Sequence, residues 1–256
     1  MQFKPCFILL LQKIKNRLAE HKPFQFKQFT VGQAGCTMKV NTDGVLLGAC
    51  AGNGNLQSIL DIGTGTGVIA LMLAQRFTHA QIDAVEIDPE SARTAQVNFE
   101  QSPFHERLQA HALSFQEFSK QNSHKKYDLI AGNPPFFLNS LRNSDKRKET
   151  ARHAEGSFFA DLISFALSHL NPSGKLSLIL PPQTAFIVLN YARDNKLFLH
   201  HQLEISSFEQ QPPHRFLITL GFEQNTSQAE RFNIYQEPDR YSEQYKKLLS
   251  DFLTIF

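Results

Sequence analysis

A glycine-rich stretch early in the chain has the residue types to bind a charged small molecule. Residues 61–67 read Asp-Ile-Gly-Thr-Gly-Thr-Gly. Glycines let a backbone turn sharply and approach a ligand closely, and a helix that starts there offers free N–H groups. The dinucleotide fingerprint G-x-G-x-x-G is one residue longer than this G-x-G-x-G spacing. Asp61 would repel a pyrophosphate, but it suits a cationic ligand such as the sulfonium and amino acid of S-adenosylmethionine.

A carboxylate follows roughly 20 residues later, at the predicted end of the next strand. Glu86 stands there, with Asp88 two positions on. A carboxylate at this place can accept hydrogen bonds from both hydroxyls of a ribose. The alternative is that Glu86 only solvates the end of a strand.

The most specific stretch is residues 133–136, which read Asn-Pro-Pro-Phe. Two consecutive prolines cannot continue a central strand or bond normally in a helix, so the backbone at Asn133 is rigid. The Asn133 side-chain oxygen and the Pro134 carbonyl are then two fixed acceptors, and Phe136 adds a flat face beside them. This set suits an NH₂ group on a planar base or on an amide. An ordinary turn would also explain the prolines, but their order after the glycines and Glu86 disfavours it.

Alternating strands and helices must position these residues. We predict strands at residues 58–62, 80–86, 108–113, 127–131 and 175–180, and helices at residues 68–76, 89–100 and 158–170, the last closed by a turn at 171–174. Such alternation indicates βαβ units and a doubly wound parallel sheet. Ligands bind such sheets beyond the carboxyl ends of the strands, where all three stretches lie.

The remainder of the chain reads differently. Residues 197–205 and 214–222 are strand-like with a polar loop between them, which predicts an antiparallel hairpin at the sheet edge. Residues 241–256 have apolar positions at helical spacing and predict a final packing helix. Near the start, Thr42 or Asp43 is a sensible N-cap for a short apolar helix.

Length and charge divide the chain into two parts. Its 256 residues fit one large domain with an appendage, which we place at residues 24–256 and 1–23. Six basic residues and one acidic residue give residues 1–30 a net charge of +5, which leaves −3 for the rest. A uniformly basic nucleic-acid coat is therefore excluded. The appendage reads as an amphipathic helix covering the core or as a basic arm that helps hold RNA.

Composition excludes several other classes of protein. The three cysteines form no CxxC pair, which excludes a disulfide framework and a thiolate zinc site. The ten histidines show no metal-ligand spacing, so we expect no metal. The apolar run at residues 7–11 is far shorter than the ~18 residues of a membrane span, and no signal-peptide cleavage site follows it. We expect a soluble, cytoplasmic protein without a membrane partner.

Taken together, residues 61–67 and 133–136 resemble the amino-methyltransferase branch of the class I S-adenosylmethionine-dependent methyltransferases. Residues 26–49, especially 38–44 (Met-Lys-Val-Asn-Thr-Asp-Gly), are similar to the bacterial tRNA (adenine-N6)-methyltransferases that modify adenine 37 of a valine tRNA. The similarity runs from about residue 24 to the C-terminus. It implies an α/β, Rossmann-like fold, S-adenosylmethionine as cofactor and the anticodon loop of a tRNA as partner.

The resemblance also implies roles for particular residues. The catalytic set is Asn133, Pro134, Pro135 and Phe136. The cofactor set is Asp61, Gly63, Gly65, Gly67, Glu86, Asp88, Ser114 and Asp43. Two positions depart from the family pattern, since Ser114 stands where an aspartate that contacts the cofactor adenine is expected, and Phe136 where relatives often have tyrosine.

An RNA partner needs cationic contacts. Residues 142–153 hold five basic and two acidic side chains and directly follow the Asn-Pro-Pro-Phe turn, so we expect this loop at the mouth of the site. A solvated surface loop is the usual meaning of such a run. The candidate RNA contacts are Lys39, Arg142, Lys146, Arg147, Lys148, Arg152 and Arg215.

Three alternatives remain from the sequence. A protein glutamine N5-methyltransferase of the release-factor type would offer an amide NH₂ to the same two acceptors. A nicotinamide-dependent oxidoreductase is disfavoured by the glycine spacing and gives the Asn-Pro-Pro-Phe turn no role. A non-catalytic RNA-binding module on the same fold is disfavoured by the intact motif residues, although Ser114 is consistent with it.

Overall fold

The structure is a computed structural model that describes residues 22–134, 145–224 and 229–256, and only the backbone of residues 145–155. All but the last two residues of the predicted appendage, together with Pro135, Phe136 and Arg142, lie outside the described residues. The side chains of Lys146, Arg147, Lys148 and Arg152 also lie outside them.

The centre of the molecule is an eight-stranded mixed sheet. The strands are β3 (Ser58–Ile62), β4 (Gln81–Val85), β5 (Leu108–His111), β6 (Tyr127–Gly132), β7 (Leu170–Leu180), β8 (Phe198–Ser206), β9 (Arg215–Gly221) and β10 (Ala229–Asn233). Their order in the sheet is β10-β8-β9-β7-β6-β3-β4-β5. Strands β3 to β7 are mutually parallel where they pair, and β9 pairs antiparallel with β7 and β8. The predicted antiparallel pair is confirmed, and the short parallel strand β10 lies outside it at the edge.

Two small antiparallel sheets flank the large one. They pair β1 (Phe24–Gln25) with β2 (Thr30–Val31) and β11 (Tyr235–Glu237) with β12 (Arg240–Tyr241). None of these short strands was predicted, because two or three residues are too few to show an alternating pattern.

Helices cover both faces of the sheet, as the doubly wound prediction requires. The helices are α1 (Thr42–Cys50), α2 (Val68–Arg76), α3 (Pro89–Glu100), α4 (Phe115–Gln121), α5 (Asp145–His169), α6 (Pro182–Asp194) and α7 (Glu243–Leu249). One apolar core joins α1, α2, α3 and α7 to one face, and a second joins α4, α5 and α6 to the other. The Rossmann-like α/β architecture is therefore confirmed.

Some predicted boundaries were wrong. Helix α5 begins at Asp145 rather than at residue 158, so most of the predicted basic loop is helical. The turn at residues 171–174 is an irregularity inside β7, where the pairing register with β6 shifts. The last helix ends at Leu249, and Leu253 beyond it bridges to Phe26 near the start of the described chain.

The N-cap of α1 was also misplaced. Asn41 occupies it, with extended backbone and a side chain that accepts a 2.9 Å hydrogen bond from the Gly44 N–H. Asparagine is among the best N-cap residues, since its side-chain oxygen satisfies a free N–H of the first turn. Thr42 and Asp43 are therefore inside the helix, which leaves the Asp43 carboxylate free for a distant partner.

Candidate active site

A cleft of about 510 Å³ opens at the carboxyl ends of β3, β4 and β6. Such crevices are where doubly wound sheets bind their ligands. Among the predicted site residues, those that line the cleft are Lys39, Gly63, Gly65, Glu86, Asp88, Ser114, Asn133 and Pro134. Asp61, Gly67, Asp43 and Arg215 lie outside its wall. The fold therefore brings the three predicted stretches together.

The glycines between β3 and α2 serve two different purposes. Gly63, Gly65 and Gly67 all have positive φ, at 71°, 54° and 83°. A Cβ added at Gly63 or Gly65 would meet no atom within 4 Å, so the backbone there borders open space. A Cβ at Gly67 would come within 2.5 Å of the Phe99 ring. Gly63 and Gly65 thus leave room for a ligand, whereas Gly67 allows α2 to pack against α3.

Asp61 lies beneath this turn and is fully buried. Its Oδ2 accepts a 2.6 Å hydrogen bond from the Thr64 hydroxyl, and its Oδ1 has no hydrogen-bond partner among the described residues. Burial raises the pKa of the Asp61 carboxyl to about 7, and the nearby Glu86 charge acts in the same direction. Asp61 therefore stabilises the turn through its hydrogen bond with Thr64, and its side chain does not line the cleft.

Glu86 stands at the end of β4 and joins the glycine turn to the start of α3. Its two carboxylate oxygens accept hydrogen bonds of 3.0 Å from the Gly65 and Asp88 N–H groups. A carboxylate has about four acceptor positions, so two remain for ribose hydroxyls. Asp88 is the N-cap of α3 and accepts hydrogen bonds from the N–H and hydroxyl of Ser91. Those hydrogen bonds lower the pKa of Asp88.

Ser114 is the N-cap of α4 and forms a complete capping box with Glu117. Its hydroxyl donates a 2.7 Å hydrogen bond to the Glu117 carboxylate and accepts one from the Glu117 N–H. The serine thus lines the cleft, but its hydroxyl is already used to start a helix. This helix-capping role of Ser114 was not predicted from the sequence.

Asn133 follows β6 and is only 8% exposed. Its side-chain oxygen is buried and has no hydrogen-bond partner among the described residues. Buried polar atoms are almost always paired, because an unpaired one costs about 1–3 kcal/mol. Since Asn133 and Pro134 both line the cleft, the free oxygen is available to a ligand that enters it.

Of the predicted RNA contacts, the structure describes the side chains of Lys39 and Arg215. Lys39 is exposed at the rim of the cleft. Arg215, at the start of β9, donates a 2.7 Å hydrogen bond to Asp43 in the first turn of α1, 172 residues away in sequence. The predicted cofactor contact Asp43 is therefore paired with the predicted RNA contact Arg215.

Several residues that line the cleft were not predicted from the sequence. Ile87 is 73% exposed and follows Glu86 directly, and Asn41, Leu113 and Phe158 are among the others. An apolar residue immediately after a strand-end carboxylate was a usable signal for Ile87. Phe158 had none, because the long helix α5 brings it to the cleft from a distant part of the chain.

Comparison with known proteins identifies the family. Residues 41–186 match the model of the methyltransferase small domain. A tRNA1(Val) (adenine(37)-N6)-methyltransferase from Pedobacter heparinus is 42% identical over 233 residues, which cover 91% of this chain and 98% of that protein. A protein of the same name from Parabacteroides distasonis is 40% identical over 230 residues, covering 90% and 96%. The chain belongs to this methyltransferase family.

A solved structure agrees with the methyltransferase fold. A predicted O-methyltransferase from Agrobacterium tumefaciens superposes with a TM-score of 0.65 at 18% identity, covering 82% of this chain and 96% of that one. In the described part of this family member, no group of three or more His, Cys, Asp or Glu is arranged to hold a metal ion. None of its described helices is long and apolar enough to cross a membrane.

Proposed function

We propose that this protein transfers a methyl group from S-adenosylmethionine to the N6 amine of adenine 37 in a valine tRNA. Family membership supports the reaction, and the unpaired Asn133 oxygen in the cleft is the observation that carries the site assignment. An amine that presents N–H donors to this oxygen would satisfy it.

The residues of the cleft fit the proposed cofactor. The open backbone at Gly63 and Gly65 leaves space for a ligand, and Glu86 retains free acceptor positions at the end of β4. Glu86 would hold the ribose hydroxyls, with the side chain of Ile87 beside them. S-adenosylmethionine, when bound, supplies an electrophilic methyl group on a sulfonium.

The chain's own part in the chemistry is to position the amine. The N6 lone pair of adenine is delocalised into the ring, which makes the nitrogen a poor nucleophile. The Asn133 oxygen and the Pro134 carbonyl accept hydrogen bonds from the two N6–H groups and favour a pyramidal nitrogen with its lone pair free. The proton that N6 loses on methylation passes to water. Phe136 stacks on an adenine that has been rotated out of its neighbours, as is usual when chemistry is done on a base. Proximity and orientation supply the rest of the rate.

The RNA is held by cations around this edge of the sheet. Lys39 at the rim and the basic residues 142–152 would contact phosphates, which makes binding weaken as salt rises. An anticodon loop is single-stranded, so unstacking its target base costs less than in a duplex. With a tRNA as substrate, the protein acts in the cytoplasm. Residues 24–256 form the catalytic domain in this proposal.

One experiment tests the activity and its nearest rival together. The purified chain is incubated with labelled S-adenosylmethionine and three acceptors, namely unmodified valine tRNA, the same tRNA with guanosine at position 37, and a release factor. We expect label on the first alone, and mass spectrometry of the digested RNA should show N6-methyladenosine. Label on a glutamine of the release factor would contradict the proposal.

A further inference from the structure

One aromatic side chain outside the cleft is unusually exposed. Phe186, in the second turn of α6, is 58% exposed, more than any other phenylalanine or tyrosine among the described side chains. Its ring packs edge-on against the buried Phe216 at 5.9 Å, with 82° between the planes. The contact fixes the ring in place, while more than half of it stays open to solvent.

The register of the sheet places Phe186 on the same edge as the catalytic turn. Gly132 pairs with Leu178 on β7, and Leu180 at the end of β7 pairs with Phe216 on β9. Asn133 and Phe216 are therefore separated by two strand spacings, about 10 Å. Phe186 does not line the cofactor cleft, so this ring is not a cofactor contact.

The surroundings of this ring favour a nucleic-acid base over a protein partner. Residues 182–192 of α6 carry no charged side chain, so no acidic group on that stretch would repel RNA. A protein interface needs a contiguous apolar patch of several hundred Å². Among the described residues, Tyr191 is the other exposed large apolar side chain of α6, and its spacing of five positions places it on a different side of the helix from Phe186. A single flat ring matches a single planar base.

The proposed reaction also leaves a base available for stacking. When the target adenine rotates out, the bases on either side of it lose a stacking neighbour. Aromatic side chains replace such contacts in complexes with single-stranded RNA. We propose that Phe186 stacks on a nucleotide adjacent to the target adenine and thereby positions the anticodon loop over the active site. The inference rests on the proposed function, since it needs an RNA substrate.

The test measures RNA binding and methyl transfer separately. Fluorescence anisotropy gives the affinity for an anticodon stem–loop RNA, and single-turnover assays give the methylation rate. We expect F186A to weaken RNA binding by about 5- to 100-fold, the range for loss of one stacked base. F186L, which keeps the apolar contact with Phe216, should show a similar loss, and F186Y should bind as the wild type does. Y191A, which removes another exposed ring of α6, should have no effect.

A second arm identifies the occupant. An abasic nucleotide next to the target adenine should weaken binding to the wild type by the same factor, and F186A should then lose nothing further. The proposal would be overturned if F186A and F186L bound the RNA as tightly as the wild type does. It would also be overturned if the losses from F186A and from the abasic RNA added up when the two changes were combined. A change of oligomeric state in F186A would instead assign the ring to a second copy of the chain. If the wild type binds the RNA but does not methylate it, the proposed function fails while the stacking result still stands.

Discussion

The two strand ends that form the site differ in how their polar atoms are bonded. At the end of β4, the two oxygens of Glu86 accept hydrogen bonds from the backbone N–H groups of Gly65 and Asp88. At the end of β6, the Asn133 oxygen is buried and has no partner among the described residues. The Glu86 carboxylate is held by two hydrogen bonds before any ligand binds and keeps two acceptor positions, whereas the Asn133 oxygen gains a partner when a donor enters the cleft. This difference suggests a preformed cofactor site beside an acceptor reserved for the substrate.

The largest effect on methyl transfer should come from changing Asn133, at the end of β6. Asn133→Ala removes the acceptor that orients the amine, and we expect single-turnover methyl transfer to fall by about 1000-fold, the upper range for loss of one preorganised polar group. The affinity for S-adenosylmethionine should change less than about threefold. Asn53→Ala, at an exposed position, is the matched control. Turnover retained in Asn133→Ala would contradict the assignment of this residue.

The buried carboxyl beneath the turn should influence stability through pH. Because the pKa of folded Asp61 is about 7 and its ordinary value is 3.8, the folded state holds the proton more tightly than the unfolded chain. Its contribution is present in full below about pH 4 and is lost as pH rises through about 7. Asp61→Asn should therefore be more stable than the wild type at pH 8, by up to about 4 kcal/mol, and similar to it at pH 4.

Urea unfolding at the two pH values measures this difference. Asp194→Asn is the control, since Asp194 is largely exposed. An Asp61→Asn variant with the same stability difference at both pH values would show that the carboxyl is not shifted as the structure indicates.

Changing Glu86, at the end of β4, should have a smaller effect that is confined to the affinity for the cofactor. Glu86→Gln keeps one acceptor oxygen but turns an NH₂ towards a backbone N–H, and hydrogen bonds to a charged group are worth about 1.5–3 kcal/mol. We expect S-adenosylmethionine to bind about 10- to 100-fold more weakly by calorimetry, with a near-normal rate once the cofactor saturates. Glu90→Gln, on the exposed first turn of α3, should bind normally. A rate loss that persists at saturation would remove the distinction between the two ends.

The smallest effect concerns Ser114, which starts α4 and also lines the cleft. Ser114→Asp keeps a good N-cap and adds a charged acceptor, so cofactor affinity should rise about fivefold, while thermal stability should fall because the new carboxylate replaces the hydroxyl that donates to Glu117. Ser114→Asn caps equally well without the charge and should leave the affinity as it is. Equal gains in both variants would show that charge at this position is not what the cofactor recognises.

Local chemistry explains which elements were predictable from the sequence. The predicted bounds of α2 and α3 match the structure because the residues that start each helix can be recognised locally in the sequence. Gly67 precedes α2, and Asp88 and Pro89 start α3. The start of α5 was missed because residues 145–157 are rich in charge and lack apolar periodicity. The N-cap of α1 was placed one or two residues late, since Asn41, Thr42 and Asp43 are all acceptable caps and only the backbone geometry separates them.

The sequence by itself determined the chemistry of the two stretches, because the glycine spacing and the paired prolines restrict the backbone wherever they occur. It also determined that they meet, since the carboxyl ends of neighbouring parallel strands share one edge. Only the tertiary structure decided how each side chain is used. Asp61 accepts a hydrogen bond from Thr64 under the turn, Asp43 pairs with Arg215 from 172 residues away, and the buried Asn133 oxygen has no partner among the described residues. Such pairings depend on packing between distant segments, which no local pattern encodes.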